Sequence, residues 1–600
     1  MKYRFSRLCG VLYLMAFVHM TTSQISPIVV STAMGDIMGE RTPFAYQDQV
    51  VSVDTTVDIF RGIPYAKPPV GDLRFAKPQP MEPWLETYDA TFFRPICWQI
   101  VENNITEEQS EDCLHLNVFS PDVQGSGYPV VVHIHGGGFI QGTGNSAYHD
   151  GRPMVSLGDV VYVTMNYRLN AFGFLSTGDP EMIGNYGLWD QSLSLKWIKE
   201  NIEPFGGDPN NITIIGQSAG GASVGFHLIA EQSWNYFHRG ILMSGNMMAP
   251  WGLETDSEKA RSDAFLVGRL AGCEDATNSQ ELRDCLRQVE EERLIIAANA
   301  ALATTTNVIP LVPTIDGEFI TDDPRHLLEQ EKFKMCDVML GNTKDDGSLV
   351  AMRAYIELIP SPDPYSDYET FLDRVARFTY TYTNDVIVNS IAQQYLDWED
   401  FDDPDTNYFY KYIELITDEA FHCTSEHTAR AYAMSGNSVY RYYYTYRRPL
   451  SVSIPRWYGV GHGYDMPYVF GHFMNPRMNS TVPYSREEKQ FSLQMMSYYT
   501  NFAKTGNPNV GNEVTFPWDR FTVPGLNILE EKPDFEAIPG ARAEFNAFWN
   551  YYVLRLVTYS ADLSEAEHQW REEFNRWKND DLPAWRVDFQ DYQDSDQCSP

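Results

Sequence analysis

The chain has few basic residues and few long apolar segments. Its 600 residues include 45 Lys and Arg against 81 Asp and Glu, a formal charge of −36. An acidic surface repels phosphate backbones, so nucleic acid is not expected as a partner. Solubility is the simplest interpretation of this charge, and attraction of cationic ligands is the alternative. With no internal repeat or low-complexity linker, the sequence predicts one large catalytic unit with a short appendage.

The only notable apolar stretch lies at the N-terminus. Three basic residues precede an apolar run over residues 8–20, and small residues suited to cleavage follow up to Ser23. The run is too short to span a bilayer, so residues 1–23 are predicted to be a signal peptide, with a membrane anchor as the alternative. The mature protein is therefore expected to be soluble and secreted.

Cysteines are also few: eight in the chain, one of them within the predicted signal peptide. Export permits disulfides, and Cys97 with Cys113 and Cys273 with Cys285 would close short loops, each stabilising the fold by about 3 kcal/mol. The odd number left after cleavage leaves a thiol unpaired or bonded to another chain, and Cys598 is the candidate. Glycosylation sequons begin at Asn104, Asn211 and Asn479.

Short apolar runs alternate with segments of helical period. The predicted strands are 128–134, 160–165, 212–215, 240–243, 338–341 and 438–446, and the clearest helices are 189–202 and 219–229. This alternation predicts an α/β fold with a mostly parallel central sheet and helices on both faces. The catalytic domain is expected over 24–558. Residues 559–600 are charged and helical in period, which predicts a short helical tail.

A glycine-flanked serine follows one of these predicted strands. The run 212–215 leads into Gly216-Gln-Ser-Ala-Gly220, a G-x-S-x-G pattern, and a small-residue helix start comes next. At such a sharp strand-to-helix turn only glycine tolerates the crowding around a strained nucleophile. The pattern alone is moderate evidence, but its position between strand and helix makes Ser218 the candidate nucleophile.

Three consecutive glycines follow an earlier strand, in His135-Gly-Gly-Gly-Phe139. Acyl transfer builds negative charge on the carbonyl oxygen, and backbone N–H groups that are fixed in advance stabilise it. Gly137 and Gly138 are therefore candidate oxyanion donors, together with Ala219 just after the nucleophile. A flexible glycine turn is the alternative.

A serine nucleophile needs a base and an orienting carboxylate, which follow it in the order acid, then histidine, in folds with this turn. Among thirteen histidines, His462 lies between two glycines in a loop after the tyrosine-rich strand, although spacing alone does not select it. Asp345 and Asp346 follow the strand 338–341, where strand ends present catalytic groups. A solvated acidic turn is the alternative for this pair.

These motifs resemble the cholinesterase/carboxylesterase family over nearly the whole mature length. The matching segments are 60–66, 110–114, 116–118, 135–139, 166–168, 205–209, 216–221 and 459–463. The resemblance implies an α/β-hydrolase fold and ester hydrolysis. It also implies a catalytic triad of Ser218, Asp346 and His462 and an oxyanion hole of Gly137, Gly138 and Ala219.

The chain departs from the family pattern at two structural points. The usual acid is Glu, so Asp346 is one methylene shorter, and a backbone adjustment is expected where it contacts His462. The family's first two disulfides match the two local pairs named above. Its third joins the position of Cys423 to a cysteine near Asn546, which this chain lacks, so a bond from Cys336 to Cys423 stays open.

The tail resembles the tetramerisation tail of cholinesterases. Trp570 and Trp577 are seven residues apart and share a helix face, whereas the step to Trp585 is eight and contains Pro583. The extra residue and the proline predict two separate short helices. The resemblance implies a homodimer or tetramer, linked through the terminal cysteine or around a proline-rich protein that would tether it at the cell surface.

The family's choline-binding gorge looks depleted here. The loop after Cys97-Trp98 contains no further tryptophan, and the residue before the nucleophile is Gln217 where an acid is usual. Gorge aromatic positions fall on Ile140, Ala298, Leu349 and Val350, and acyl-pocket positions fall on Trp251, Asn307 and Ile309. An acyl pocket lined this way is expected to admit acyl groups larger than acetyl.

We therefore favour a secreted serine carboxylic ester hydrolase that acts through an acyl-enzyme on a small ester, without metal or organic cofactor. The alternative is an acetylcholinesterase or other cholinesterase that uses substitute aromatics such as Trp98. A third hypothesis is a non-catalytic adhesion protein on the same fold. The intact triad argues against the third hypothesis, and the depleted gorge argues against the second.

Overall fold

The structure is a computed structural model. It describes residues 25–100, 107–302, 311–354, 364–378, 384–401, 403, 405–449, 455–478, 482–560, 570, 573–574 and 576–594. Several predicted features lie outside these residues: the signal peptide at 1–23, the sequons at Asn104 and Asn479, the acyl-pocket residues Asn307 and Ile309, and Cys598.

Thirteen strands form one sheet in the described part of the chain. In chain order they are β1 Ser26–Thr32, β2 Gly35–Gln47, β3 Ser52–Pro64, β4 Tyr88–Asp89, β5 His115–Ser120, β6 Tyr128–Ile134, β7 Val161–Met165, β8 Gly207–Gln217, β9 Arg239–Met243, β10 Val338–Thr343, β11 Val439–Tyr444, β12 Leu529–Glu531 and β13 Glu536–Ala537.

Helices connect and cover these strands. They are α1 Arg152–Gly158, α2 Asn170–Phe174, α3 Tyr186–Asn201, α4 Ala219–Ile229, α5 Ser257–Ala271, α6 Ser279–Leu286, α7 Glu291–Leu302, α8 Pro324–Glu329, α9 Gly347–Ala354, α10 Tyr368–Phe378, α11 Asp385–Gln394, α12 Phe409–Thr417, α13 Cys423–Met434, α14 Met466–Val469, α15 Arg486–Thr505, α16 Ala543–Ala547 and α17 Leu582–Asp594. No described helix is both long and apolar enough to cross a membrane.

The middle of the sheet is parallel and its edges are antiparallel. The strand order is β1-β2-β3-β5-β7-β6-β8-β9-β10-β11-β12-β13, with β4 beside β2. Every neighbouring pair from β7 to β12 is parallel, as expected for strands joined by helical crossovers. The predicted α/β fold with a mostly parallel sheet is confirmed. The hairpins β1–β2 and β2–β3 are an antiparallel edge that the apolar-run pattern did not predict.

Two hydrophobic cores lie on opposite faces of this sheet. Strand β6 shows how one segment serves both, because successive side chains of a strand point to opposite faces. Val130, Val132 and Ile134 lie in a core shared with α3 and α4, whereas Val131 lies in a core shared with α1 and α15. All four side chains are buried, which explains why this strand is almost continuously apolar in sequence.

The structure contains both local disulfides. Cys97 and Cys113 have Cα atoms 5.0 Å apart, and those of Cys273 and Cys285 are 5.9 Å apart. Both separations fall within the usual range for a disulfide. The first bond closes the loop that precedes β5, and the second joins Cys273, just after α5, to Cys285 in the last turn of α6.

Cys336 and Cys423 are free thiols. The disulfide between them, which the sequence left open, is therefore not formed. Cys423 begins α13, whereas Phe333, just before Cys336, packs on Tyr432 near the other end of that helix. Nine helical residues rise about 13 Å, and a disulfide requires Cα atoms within about 7 Å. Burial raises the pKa of the Cys423 thiol well above its ordinary value.

Of the three predicted sequons, Asn211 lies among the described residues. Its side-chain amide is half-buried and donates a hydrogen bond of 3.0 Å to the carbonyl oxygen of Lys504. Its side-chain oxygen accepts from Arg239. A glycan on the amide nitrogen would displace the first of these bonds, so glycosylation of Asn211 stays a prediction that the local packing disfavours.

The end of the chain corrects the prediction of two separate helices around Pro583. A π-helical turn, Trp577–Asp581, runs directly into α17 without a break. A π turn accommodates one additional residue, so it absorbs the eight-residue step from Trp577 to Trp585. Proline is tolerated there because the ordinary ladder of helical hydrogen bonds is already interrupted. The tail aromatics Trp570, Phe574, Trp577, Trp585, Phe589 and Tyr592 are exposed to solvent.

Candidate active site

Ser218 lies where β8 ends and α4 begins. Its backbone has φ 61° and ψ −127°, a strained conformation that places the side chain on the outside of the turn. A Cβ atom at Gly216 would come within 2.2 Å of the carbonyl oxygen of Gly220. One at Gly220 would come within 2.1 Å of the carbonyl oxygen of Ile134. Close backbone packing therefore requires both glycines of the G-x-S-x-G pattern.

His462 and Asp346 meet although they are 116 residues apart in sequence. The Nδ1 atom of His462 lies 2.7 Å from Asp346 Oδ1. Asp346 is fully buried at the end of β10, and its Oδ2 accepts hydrogen bonds from the Thr343 amide at 2.8 Å and the Ser244 hydroxyl at 2.9 Å. Both carboxylate oxygens are thus occupied, which fixes the orientation of the imidazole.

The neighbouring Asp345 has a different task. Its Oδ2 accepts a hydrogen bond of 2.7 Å from the amide of Val460, and its own amide donates to the Val460 carbonyl. Burial raises the pKa of Asp345 above its ordinary value. Asp345 therefore holds the loop that precedes His462, a positioning role that the sequence pattern did not reveal. Geometry thus separates two adjacent aspartates that spacing left equivalent.

The glycine turn after β6 lies beside the nucleophile. Gly137 and Gly138 have φ values of 116° and 64°, which L side chains rarely adopt. A Cβ atom at Gly136 would come within 2.4 Å of the Gln217 carbonyl oxygen. Ala219 is the first residue of α4, where backbone N–H groups have no partner within the helix. The three predicted donors therefore surround Ser218 on rigid backbone.

Gln217 makes a contact that the sequence did not predict. Its side-chain nitrogen lies 3.0 Å from His462 Nε2, the atom on the far side of the imidazole from Asp346. With Nδ1 protonated toward the aspartate, Nε2 accepts this hydrogen bond. The Ser218 hydroxyl makes no hydrogen bond to any described residue, so it has to replace the amide before proton transfer. Such contacts often form only when substrate is bound.

A cavity of about 240 Å³ opens above these groups. It is lined by Gly137, Gly138, Gln141, Gln217, Ser218, Trp251, Leu349, Val350, Arg353, Phe421 and His462. The predicted gorge positions Leu349 and Val350 do reach it, and so does the predicted acyl-pocket residue Trp251. Trp98, the suggested substitute aromatic, instead lines a separate small pocket together with Cys97, Cys113 and Phe172, outside the described lining of this cavity.

Phe421 is the aromatic residue of this cavity that sequence reasoning missed. It belongs to a π-helical turn, Asp418–His422, that joins α12 to α13. Its ring lies 5.7 Å from that of Trp251 and 5.4 Å from that of His462, measured between centroids. Phe421 therefore adds an aromatic ring beside Trp251 at a place in the cavity that the predicted positions did not include. No local pattern in the sequence points to this placement.

The sequence also matches a known family along most of its length. The profile of the carboxylesterase family covers residues 26–549. The chain belongs to this family. It is 36% identical over 590 residues to the acetylcholinesterase of Bungarus fasciatus, which covers 95% of this chain and 93% of that protein. It is 33% identical to the acetylcholinesterases of Electrophorus electricus, over 100% of both chains, and Danio rerio, over 97% of both.

Membership of the carboxylesterase family makes the chain a serine hydrolase that acts on carboxylic esters. The predicted resemblance is thereby confirmed. The family assignment does not identify which ester is the substrate. The reacting groups act on the carbonyl group that all esters share, and other residues of the cavity contact the rest of the molecule. Among the described lining residues, Trp251 and Phe421 are the aromatic side chains apart from the imidazole of His462, and the wall formed by α9 is aliphatic and basic.

Proposed function

We propose that the chain hydrolyses carboxylic esters through an acyl-enzyme formed on Ser218. His462 takes the hydroxyl proton through Nε2 while Asp346 stabilises the resulting imidazolium. The alcohol leaves with that proton, and water then attacks the acyl-enzyme with His462 again acting as base. The observation that carries this proposal is the 2.7 Å contact between Asp346 and His462 beside the strained Ser218.

The glycine turn stabilises the charge that develops in this reaction. The N–H groups of Gly137, Gly138 and Ala219 bind the oxyanion of the tetrahedral intermediate. The N-terminal end of α4, which begins at Ala219, adds a favourable electrostatic field. The close steric contacts described above restrict movement of the backbone that carries these donors. Little reorganisation is therefore needed as the charge appears.

The substrate class supported by the cavity is an ester without a cationic choline group. Among the described lining residues no carboxylate faces the alcohol side, and Gln217, Leu349 and Val350 offer neither a negative charge nor an aromatic face. Cleavage of choline esters is the second candidate, because the similar proteins are named acetylcholinesterases and the chain carries a charge of −36. A non-catalytic adhesion role is disfavoured by the assembled triad.

The nucleophile is tested with Ser218→Ala and a phosphonylating reagent that traps active serines. We expect kcat for phenyl acetate to fall by about 10⁶-fold and the covalent adduct, seen by intact mass, to disappear. Ser223→Ala is the matched control, since Ser223 lies on α4, just after the nucleophile, and its hydroxyl accepts a hydrogen bond from Gln191 away from the cavity. Activity that persists in Ser218→Ala would show that the nucleophile is another residue.

We further infer export and self-association. The leader at 1–23 supports secretion, and the sequons are consistent with it. The exposed aromatics of the tail support a dimer or tetramer, either through Cys598 or around a proline-rich anchoring protein at the cell surface. Removal of residues 561–600 is expected to leave esterase activity and yield monomers in analytical ultracentrifugation. Unchanged mobility of Cys598→Ala in non-reducing electrophoresis would exclude the covalent link.

A further inference from the structure

Gln217 is the last residue of β8, and its backbone is held from two sides. It pairs with Met243 of β9, and a Cβ atom at Gly136 would come within 2.4 Å of its carbonyl oxygen. Its side chain lines the cavity and is buried, with 6% of the residue exposed. A change in the contacts of Gln217 therefore comes from rotation of its side chain alone.

The amide of this side chain occupies the nitrogen of His462 that has to act as base. Nδ1 carries the proton that faces Asp346, so Nε2 holds the free lone pair, and the Gln217 amide nitrogen lies 3.0 Å from it. This is the only hydrogen bond of the Gln217 side chain within the described part of the chain. The lone pair accepts one strong hydrogen bond, so the amide and the Ser218 hydroxyl compete for it.

A second contact between a glutamine and a histidine shows how a purely structural pair differs. The Gln191 side-chain oxygen lies 3.0 Å from His227 Nε2, and both residues are fully buried outside the described lining of the cavity. The Gln191 side-chain nitrogen also donates a hydrogen bond of 3.1 Å to Ser223, so both ends of that amide are held. The amide of Gln217 has His462 as its single partner, so it can leave without breaking another hydrogen bond.

We propose that Gln217 is a positioning residue that withholds His462 from Ser218 until a substrate enters. In the free enzyme the amide holds the lone pair of His462 Nε2. A substrate that reaches Ser218 displaces the amide, because both have to share a cavity of about 240 Å³. The vacated nitrogen then accepts the Ser218 hydroxyl and takes its proton as the oxygen attacks the ester. This inference rests on the proposed ester hydrolysis at Ser218 and adds control of its base.

The competing hydrogen bond has a definite kinetic consequence. It is present in the free enzyme and absent in the transition state for acylation, so it adds to the barrier that kcat/KM measures. Removal of the donor therefore speeds acylation of Ser218. Loss of a side chain that only filled the wall of the cavity would instead slow acylation or leave it unchanged.

The first test is Gln217→Met, which keeps the length of the side chain and removes the donor. The assays are run at about pH 8.5, where an ordinary imidazole is neutral. We expect kcat/KM for phenyl acetate to rise about fivefold, the effect of losing one neutral hydrogen bond. The rate constant for phosphorylation of Ser218 by diethyl 4-nitrophenyl phosphate, an uncharged reagent, should rise by the same factor. Gln217→Ala, which also lacks the donor, should show the same increase.

The second test is Gln217→Glu, which replaces the donor by an acceptor of nearly the same shape. A carboxylate beside Nε2 stabilises the imidazolium of His462, and the protonated ring cannot act as base. The pH at which kcat/KM reaches half of its maximum should therefore move upward by about one unit. A role of Gln217 in folding alone would lower thermal stability without moving this pH.

The matched control is Gln191→Met, which removes the amide of the structural pair with His227. It should lower the melting temperature and leave the phosphorylation rate and the pH profile unchanged. A phosphorylation rate that is unchanged or slower in both Gln217→Met and Gln217→Ala would overturn the proposal, and so would an unmoved pH profile in Gln217→Glu. Failure of the proposed function is distinguishable, because then Ser218→Ala would retain activity on phenyl acetate.

Discussion

The floor of the cavity is formed by the turn around Ser218 and the glycine turn after β6. Its backbone is so closely packed that several of its glycines cannot be replaced by a larger residue. Added Cβ atoms at Gly216, Gly220 and Gly137 would all collide with backbone oxygens within 2.2 Å. On the wall formed by α9, by contrast, an ordinary helix lines the cavity with the apolar side chains of Leu349 and Val350. The difference teaches that closely packed backbone fixes the positions of the reacting groups. Side chains that can be exchanged without a backbone shift determine which substrate fits.

The largest effect expected on the floor is from Asp346→Asn. Loss of the carboxylate disfavours the productive tautomer of His462, so kcat should fall by about 10⁴-fold with little change in KM. Asp345→Asn is the matched control. Its side-chain oxygen can still accept from Val460, and we expect less than about a tenfold loss. Equal losses in steady-state assays of the two variants would show that the contact with His462 is not decisive.

Next in size is Gly137→Ala. The new methyl group would lie 2.1 Å from the Gln141 carbonyl oxygen, so the turn and its oxyanion donors must shift. We expect kcat to fall by about 10²- to 10³-fold. Gly127→Ala shares the positive φ but meets no atom within 4 Å, so it should destabilise the fold slightly and preserve kcat. Thermal unfolding of both variants separates the two effects. Full activity of Gly137→Ala would contradict the steric argument.

A smaller effect, on substrate preference, is expected from Phe421→Ala, since Phe421 lines the cavity between His462 and Trp251. Removal of the ring beside Trp251 enlarges the acyl side, so kcat/KM for a butyryl ester relative to an acetyl ester should rise about tenfold. Phe409→Ala is the control, because Phe409 lies in the same hydrophobic cluster but packs on Trp457. It should lower stability without changing the ratio. A ratio that stays constant in Phe421→Ala would remove Phe421 from the acyl pocket.

The parts of the site that are local in sequence were predictable. The turn around Ser218 and the glycine turn after β6 can be recognised from a few consecutive residues, because each has a conformation that only glycine tolerates at certain positions. The parallel sheet followed from alternating buried runs and helices. Choosing Asp346 over Asp345 required the resemblance, and the loop-holding contact of Asp345 with Val460 became visible only in three dimensions.

Other features depend on contacts between distant segments. Phe421 reaches Trp251 because a π turn rotates it into the cavity, and a similar turn keeps the tail helical across Pro583. Neither turn has a local sequence pattern strong enough to predict it. The spacing of Cys336 and Cys423 likewise gave no indication that helix α13 would hold the two thiols apart.

The sequence by itself therefore determined the class of fold, the nucleophile turn and the family, since these rest on short-range sterics and on periodicity. Only the tertiary structure decided which residues line the cavity and showed that Asp345 holds the loop before His462. Those properties arise where β10, α9 and the loop before His462 converge, and the convergence is set by packing between segments more than a hundred residues apart.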